Sequence, residues 1–149
     1  MRSILQINKL IAVSCVVFFI ALASCHHHLY TSAPQVIHIV NGDTTSGKLD
    51  LRDVNGNSAD TFKVPKGSDI RWLLGDSQVV RKITNIYKKP MSVSDSIFSS
   101  PPDSIGGSSL NWKAKVDQNA GGKTEIYNMD WIDKNGQQHT FDPKIQVML

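Results

Sequence analysis

The stretch TEIYNMDWIDKNG, Thr124–Gly136, decides the fold class of this chain. Large apolar side chains recur at every second position from Tyr127 to Trp131, which is the period of a β-strand with one buried face. The Asn-Gly pair that closes the stretch is typical of a hairpin with a type I′ turn. The stretch therefore predicts a strand over 124–132 and a second strand over 137–141 that pairs back on it.

The chain from residue 35 onward has the same strand-like pattern. Short runs rich in β-branched and aromatic residues are divided by Gly, Asn, Asp and Pro, and no amphipathic stretch reaches the ~11 residues of a typical helix. The sequence predicts an all-β domain over 35–149, a single two-sheet Greek-key sandwich. The other predicted strands are 35–40, 48–54, 61–64, 69–74, 78–87, 110–116 and 144–149.

Within 78–87, strict alternation places Val80 on one face and Val79, Ile83 and Tyr87 on the other.

The serine-rich segment 92–109 interrupts the strand pattern with one Pro-Pro pair, at 101–102, and one Gly-Gly pair, at 106–107. Loops longer than ~12–15 residues in a compact domain tend to be functional or mobile. The sequence predicts a surface excursion at one end of the sandwich, partly docked through Ile97 and Phe98, where recognition surfaces are often placed.

The amino-terminal residues have the pattern of a signal peptide. Arg2 and Lys9 form a basic region, and Leu10–Ala23 is an apolar run that is shorter than the ~20 residues of a membrane span. We expect residues 1–24 to be removed. An ordinary secretory signal and an uncleaved anchor stay open as alternatives.

The end of this run, Leu22-Ala23-Ser24-Cys25, resembles the lipobox of bacterial lipoproteins. The resemblance implies cleavage between Ser24 and Cys25 and a covalent lipid on Cys25, a diacylglycerol thioether with an N-acyl group. It also implies a place in the bacterial cell envelope, by default at the outer membrane facing the periplasm, since no acidic residue follows Cys25. Residues 25–34 have no hydrophobic periodicity and are predicted to be a flexible tether.

Charge and cysteine content exclude several classes of function. Without the leader, the net charge falls from +3 to +1, and no basic cluster favours a nucleic-acid partner. The two cysteines are Cys15, in the leader, and Cys25. The predicted domain therefore has no thiol for a disulfide, a thiolate metal site or nucleophilic catalysis.

The order of elements in the domain resembles the cupredoxin-like β-sandwich. The likeness rests on FKVPKGSDIRW, Phe62–Trp72, and on a closing hairpin that runs into 145–147. An immunoglobulin-like sandwich stays open. The cupredoxin family binds copper through two histidines, a cysteine and usually a methionine, and this domain lacks the cysteine. The resemblance therefore implies the scaffold without its copper, and no cofactor is expected apart from the lipid.

Histidines offer the weak metal candidates. His26, His27 and His28 form a cluster in the tether that could bind Zn, Ni or Cu ions adventitiously. An alternative function, as a metal carrier or enzyme, would use His38, His139 and Asp142. No set of residues complete enough for catalysis can be assembled, so we expect a protein that is not an enzyme.

Two further patterns bear on glycans. Five aromatic residues could form a sugar-stacking platform, an alternative function as a glycan-binding module, but their phase with aliphatic residues favours the core. They are Trp72, Tyr87, Trp112, Tyr127 and Trp131.

Short Asp-Ser/Thr sequons at Thr44, Ser96 and Ser104 are candidate O-glycosylation sites.

Taken together, the sequence predicts a non-catalytic, membrane-anchored module that binds an envelope protein or a glycan, or helps to assemble the envelope.

Overall fold

The computed structural model describes residues 33–149, which form ten strands and one short 3-10 turn. The signal peptide, the lipobox and most of the tether, including His26, His27 and His28, lie outside the described residues. The strands are β1 Gln35–Gly42, β2 Leu49–Arg52, β3 Thr61–Val64, β4 Asp69–Leu74, β5 Val80–Lys88, β6 Asp103–Ser104, β7 Asn111–Lys115, β8 Thr124–Asp133, β9 Gln138–Phe141 and β10 Lys144–Val147.

Two mixed sheets pack face to face, which confirms the predicted all-β sandwich. The first has the order β2-β1-β4-β7-β6, and the second has the order β3-β10-β8-β5, with β9 also paired to β8. Two pairs, β1 with β4 and β10 with β3, are parallel, and the others are antiparallel. All nine strands predicted from the sequence are present, and β3 and β4 have the predicted bounds.

The central strand β8 follows the predicted alternation along its whole length. Every second side chain from Glu125 to Asp133 is buried, and Tyr127, Met129 and Trp131 lie in the core between the sheets. In this core the Trp72 indole N–H donates to the Tyr127 hydroxyl over 3.1 Å. Burial of these apolar surfaces supplies the main favourable term for folding.

Strand β5 departs from its predicted pattern. Two register shifts against β8, between Val80 and Lys82 and between Ile83 and Asn85, are β-bulges. Each bulge inserts one residue and re-phases the strand. Val80, Ile83 and Ile86 are therefore all buried, and the prediction that Val80 and Ile83 face opposite sides is wrong.

The hairpin between β8 and β9 is present, but its turn is not type I′. That turn needs positive φ at both central residues, whereas Gly136 has φ of 88° and Met91 is the one non-glycine residue in 33–149 with positive φ. Four residues, 134–137, separate β8 from β9, and the Asp133 carboxylate accepts the Gln137 N–H over 2.8 Å. This carboxylate cap stabilises a longer loop than the Asn-Gly pair predicts.

Residues 92–109, here called the strap, begin at one end of the sandwich, and most of the segment lies along one side of it rather than projecting from the end. Ile97 is fully buried, and residues 97–99 pair with 115–117, at the end of β7 and just after it. Strand β6 adds to the edge of the first sheet, and the Ser109 carbonyl accepts the N–H of Ile83 in β5, at the edge of the second sheet. The strap thus joins the two sheet edges, and the predicted docking of Ile97 and Phe98 is confirmed.

Candidate binding cleft under the strap

A cleft of about 310 Å³ lies between the strap and the edge of the second sheet. Its volume falls at the lower end of the range for small-ligand pockets, ~300–1,000 Å³. Strands β5 and β8 supply one wall and the strap supplies the other. The lining residues are Tyr87, Lys88, Ser96, Phe98, Ser99, Ser100, Pro101, Pro102 and Glu125.

Glu125 is the buried ionisable group of this cleft. The alternation of β8 turns its side chain inward, and only 2% of the residue is exposed. One carboxylate oxygen accepts the Ile97 N–H over 2.8 Å, and no hydrogen bond within 33–149 reaches the other. Burial raises the pKa of Glu125, while the Ile97 N–H and the charge of Lys88 oppose that rise. The carboxylate therefore offers a free acceptor in a poorly hydrated setting.

The walls of the cleft are largely apolar and are held in place. Phe98 packs edge-on against Trp72, with 6.1 Å between ring centroids. The hydroxyl of the half-buried Tyr87 accepts the Asn128 side-chain N–H over 3.2 Å. Pro101 and Pro102 restrict the strap backbone. A preorganised cleft of this kind can bind a ligand with an apolar body and an N–H or O–H donor.

Lys88 ties the cleft wall to the strap. Its ammonium donates to the Ser96 hydroxyl over 3.2 Å, across the gap between β5 and the strap. The same ammonium lies close enough to Glu125 to influence its pKa. A cationic ligand group would compete with Lys88 for the carboxylate.

The structure does not bring together the three residues of the metal or enzyme alternative. His139 stacks on Trp131, with 4.3 Å between ring centroids, and its Nε2 lies 3.3 Å from the Asp133 carboxylate. Asp142 forms an ion pair with Lys89, and His38 is exposed on β1 in the other sheet. Over residues 33–149, no three His, Cys, Asp or Glu side chains are placed to share a metal ion.

The pair of His139 and Asp133 has a structural role in the hairpin. Burial raises the pKa of Asp133, but hydrogen bonds from the Gln137 N–H, from His139 and from the Asn135 N–H outweigh it and lower the pKa overall. The ionised carboxylate therefore caps the β8–β9 loop and orients the imidazole.

Four of the five aromatic residues considered for sugar stacking are core residues. Trp72, Tyr127 and Trp131 are fully buried, and Trp112 is 8% exposed. The Trp112 indole N–H has no hydrogen-bond partner in the described part of the chain. Tyr87 is half-buried and lines the cleft, so the core placement that the sequence favoured is confirmed for the other four residues and not for Tyr87.

The candidate O-glycosylation sites differ in accessibility. Thr44 is exposed in the turn after β1, and Ser96 is exposed although its hydroxyl accepts from Lys88. Ser104 is half-buried in β6. These positions stay predictions.

Sequence reasoning missed Glu125 as a site residue. A signal was present, because Glu125 is in phase with Tyr127 and Met129 on the face predicted to be buried. A charged residue on the buried face of a strand is rarely fully buried unless it is paired.

Two other cavities carry mixed charges. A cavity of about 380 Å³ beside β2 is lined in part by two ion pairs, Lys48 with Asp60 and Arg52 with Asp50. The cavity on the other side of the strap, of about 420 Å³, has both basic and acidic lining residues, Lys113 and Asp103 among them. Neither has a buried ionisable side chain.

No helix within residues 33–149 has the length and apolar character that crossing a bilayer would need.

No protein-family model matches the chain, and no curated protein is detectably similar to it. The geometry of the cleft is therefore the main guide to function.

Proposed function

We propose that this protein is a lipid-anchored, non-catalytic binding module of the bacterial cell envelope, and that the cleft under the strap is its binding site. The observation that carries the binding role is Glu125, a buried carboxylate with a free oxygen at an apolar cleft. The anchor is supported by Leu22-Ala23-Ser24-Cys25 and by the apolar run before it. We place the module at the outer membrane, facing the periplasm.

The ligand of this cleft combines an apolar part with a hydrogen-bond donor. An ammonium or guanidinium group would make a charge-assisted bond to Glu125, roughly twice as strong as a neutral one. Phe98, Pro101 and Pro102 would cover the apolar part. A basic side chain of an envelope protein meets both requirements.

A glycan is the second candidate. Two aromatic residues, Tyr87 and Phe98, line the same cleft as Glu125, together with three serines. Sugars bind through hydroxyl donors to carboxylates and through contacts with aromatic rings. This candidate predicts a ligand without a positive charge.

Crosslinking in intact cells tests the binding role. A photoreactive amino acid in place of Ser99, on the cleft wall, should form an adduct that the additional substitution Glu125→Gln removes. The same photoreactive group at Val54, 67% exposed on another turn, is the control and should not form that adduct. An adduct that persists in Glu125→Gln, or that forms equally from Val54, would reject the cleft as the site.

The chemistry of the adduct separates the two ligand candidates, since a peptide is sensitive to protease and a glycan to glycosidase.

Incorporation of labelled palmitate tests the anchor separately. Labelling that is lost in Cys25→Ser supports lipidation, and labelling that stays absent from the unaltered protein contradicts it.

A further inference from the structure

We infer that one end of the sandwich contacts the bilayer surface directly, with Met91 and Val93 inserted among the lipid headgroups. The inference rests on the proposed lipid anchor, because the anchor brings this end to the membrane. It adds a second, non-covalent contact that would orient the cleft.

The topology gathers several chain segments at this end, here called the proximal end. Strand β1 begins there at Gln35, beside the start of its parallel neighbour β4. The turn 65–68 leads into β4, the loop 116–123 leads from β7 into β8, and residues 89–95 follow β5. Gln35 is also where the tether joins the domain.

Met91 and Val93 are fully exposed on this end. Met91 has φ of 57°, the left-handed region that side chains other than glycine rarely adopt. Backbone bonds on either side fix the segment, since the Ser92 N–H donates to the Lys89 carbonyl over 3.4 Å and the Asp95 N–H donates to the Thr124 carbonyl over 3.0 Å. The two apolar side chains are thus held outward.

Lysines are exposed at the same end of the sandwich. Lys66 and Lys123 lie there, as does Lys88, whose ammonium is bonded to Ser96. The acidic residues nearby, Asp95 and Asp117, accept backbone N–H groups from Thr124 and Asn119. Lysine side chains can lay their apolar stems along a membrane and place the ammonium among phosphate groups. Exposed apolar residues flanked by lysines suit the headgroup region of a bilayer.

The length of the tether limits how far this end can lie from the membrane. Ten residues, 25–34, separate the proposed lipid from β1, and fully extended they span at most ~35 Å. A tethered surface meets its partner at high effective concentration, so two apolar side chains can dock although they would not bind a membrane alone.

Tryptophan reporters test the contact. The native Trp72, Trp112 and Trp131 are at least nine-tenths buried, so an added tryptophan on the surface gives a separate signal. Full-length Met91→Trp and Val93→Trp proteins, extracted from membranes, are reconstituted in phosphatidylethanolamine and phosphatidylglycerol vesicles that carry brominated acyl chains. Leu110→Trp is the matched control, an exposed apolar residue just before β7, at the opposite end of the sandwich.

We expect the emission of the tryptophans at positions 91 and 93 to shift to the blue and to be quenched several-fold more than that at position 110. Equal quenching at all three positions, or none, would overturn the docking. Palmitate labelling of the same preparations separates the two proposals. Labelled protein without quenching keeps the lipid anchor and rejects the docking. Quenching without label supports the docking and rejects the lipid on Cys25 as the anchor, so that another segment must hold the protein at the membrane.

Discussion

At the scale of single residues, Glu125 is the clearest departure from what stability alone would favour. Burial of an ionised carboxylate is costly unless it is paired, and one Ile97 N–H with a nearby Lys88 compensates it only in part. Natural proteins often keep such destabilising groups where function needs them.

This residue makes stability depend on pH in a defined direction. Because burial raises the pKa of Glu125 above its ordinary value of 4.5, the folded state binds the proton more tightly than the unfolded state. Its contribution to stability is therefore fully present below the unfolded pKa and is lost as pH rises through the folded pKa. Glu125→Gln should be more stable than the unaltered protein at neutral pH, and the difference should shrink as pH falls. Urea unfolding across the acid range measures it, and a difference that grows in acid would contradict the sign.

Gly42 lies at a position where the core has no room for a side chain. A Cβ there would lie 2.8 Å from Trp131 Cη2 and 3.0 Å from Val80 Cγ2. Gly42→Ala should lower the free energy of unfolding by about 1–3 kcal/mol, the usual cost of overpacking. Gly75→Ala is the control, since its Cβ would meet nothing closer than 3.9 Å. Chemical denaturation of both variants measures the losses, and equal losses would show that the close contact is not the cause.

At the scale of elements, the strap depends on Ile97 for its position. This side chain is fully buried and its N–H binds Glu125. Ile97→Ala should cost about 2–5 kcal/mol of unfolding free energy, as for other large-to-small changes in a core. The same change at the half-buried Ile105, in the 3-10 turn, should cost less. Thermal or urea unfolding compares them, and a larger loss at Ile105 would move the strap's main attachment to its second half.

Strands were predictable where alternation is unbroken. The pattern of β8 is carried by its own side chains, so its bounds and buried face follow from the sequence. The bulges of β5 are set by pairing with β8, and a hydrophobic pattern does not record them. The two-residue strand β6 is too short to have a pattern at all.

At the scale of the whole molecule, the order of strands could not be read from the sequence. The parallel pairing of Gln35 with Ile70, for example, depends on two sheets folding around one core. The cleft could not be predicted from the sequence for the same reason. Glu125 and Ile97 are 28 positions apart, and only the folded strap brings them into contact.

The strap also covers one edge of the first sheet. Strand β6 closes the edge of the first sheet with two residues, and Pro101 and Pro102 precede it. Proline lacks an N–H and cannot extend a ladder of backbone hydrogen bonds. Even when many copies crowd together, this side of the molecule offers no template for fibril growth.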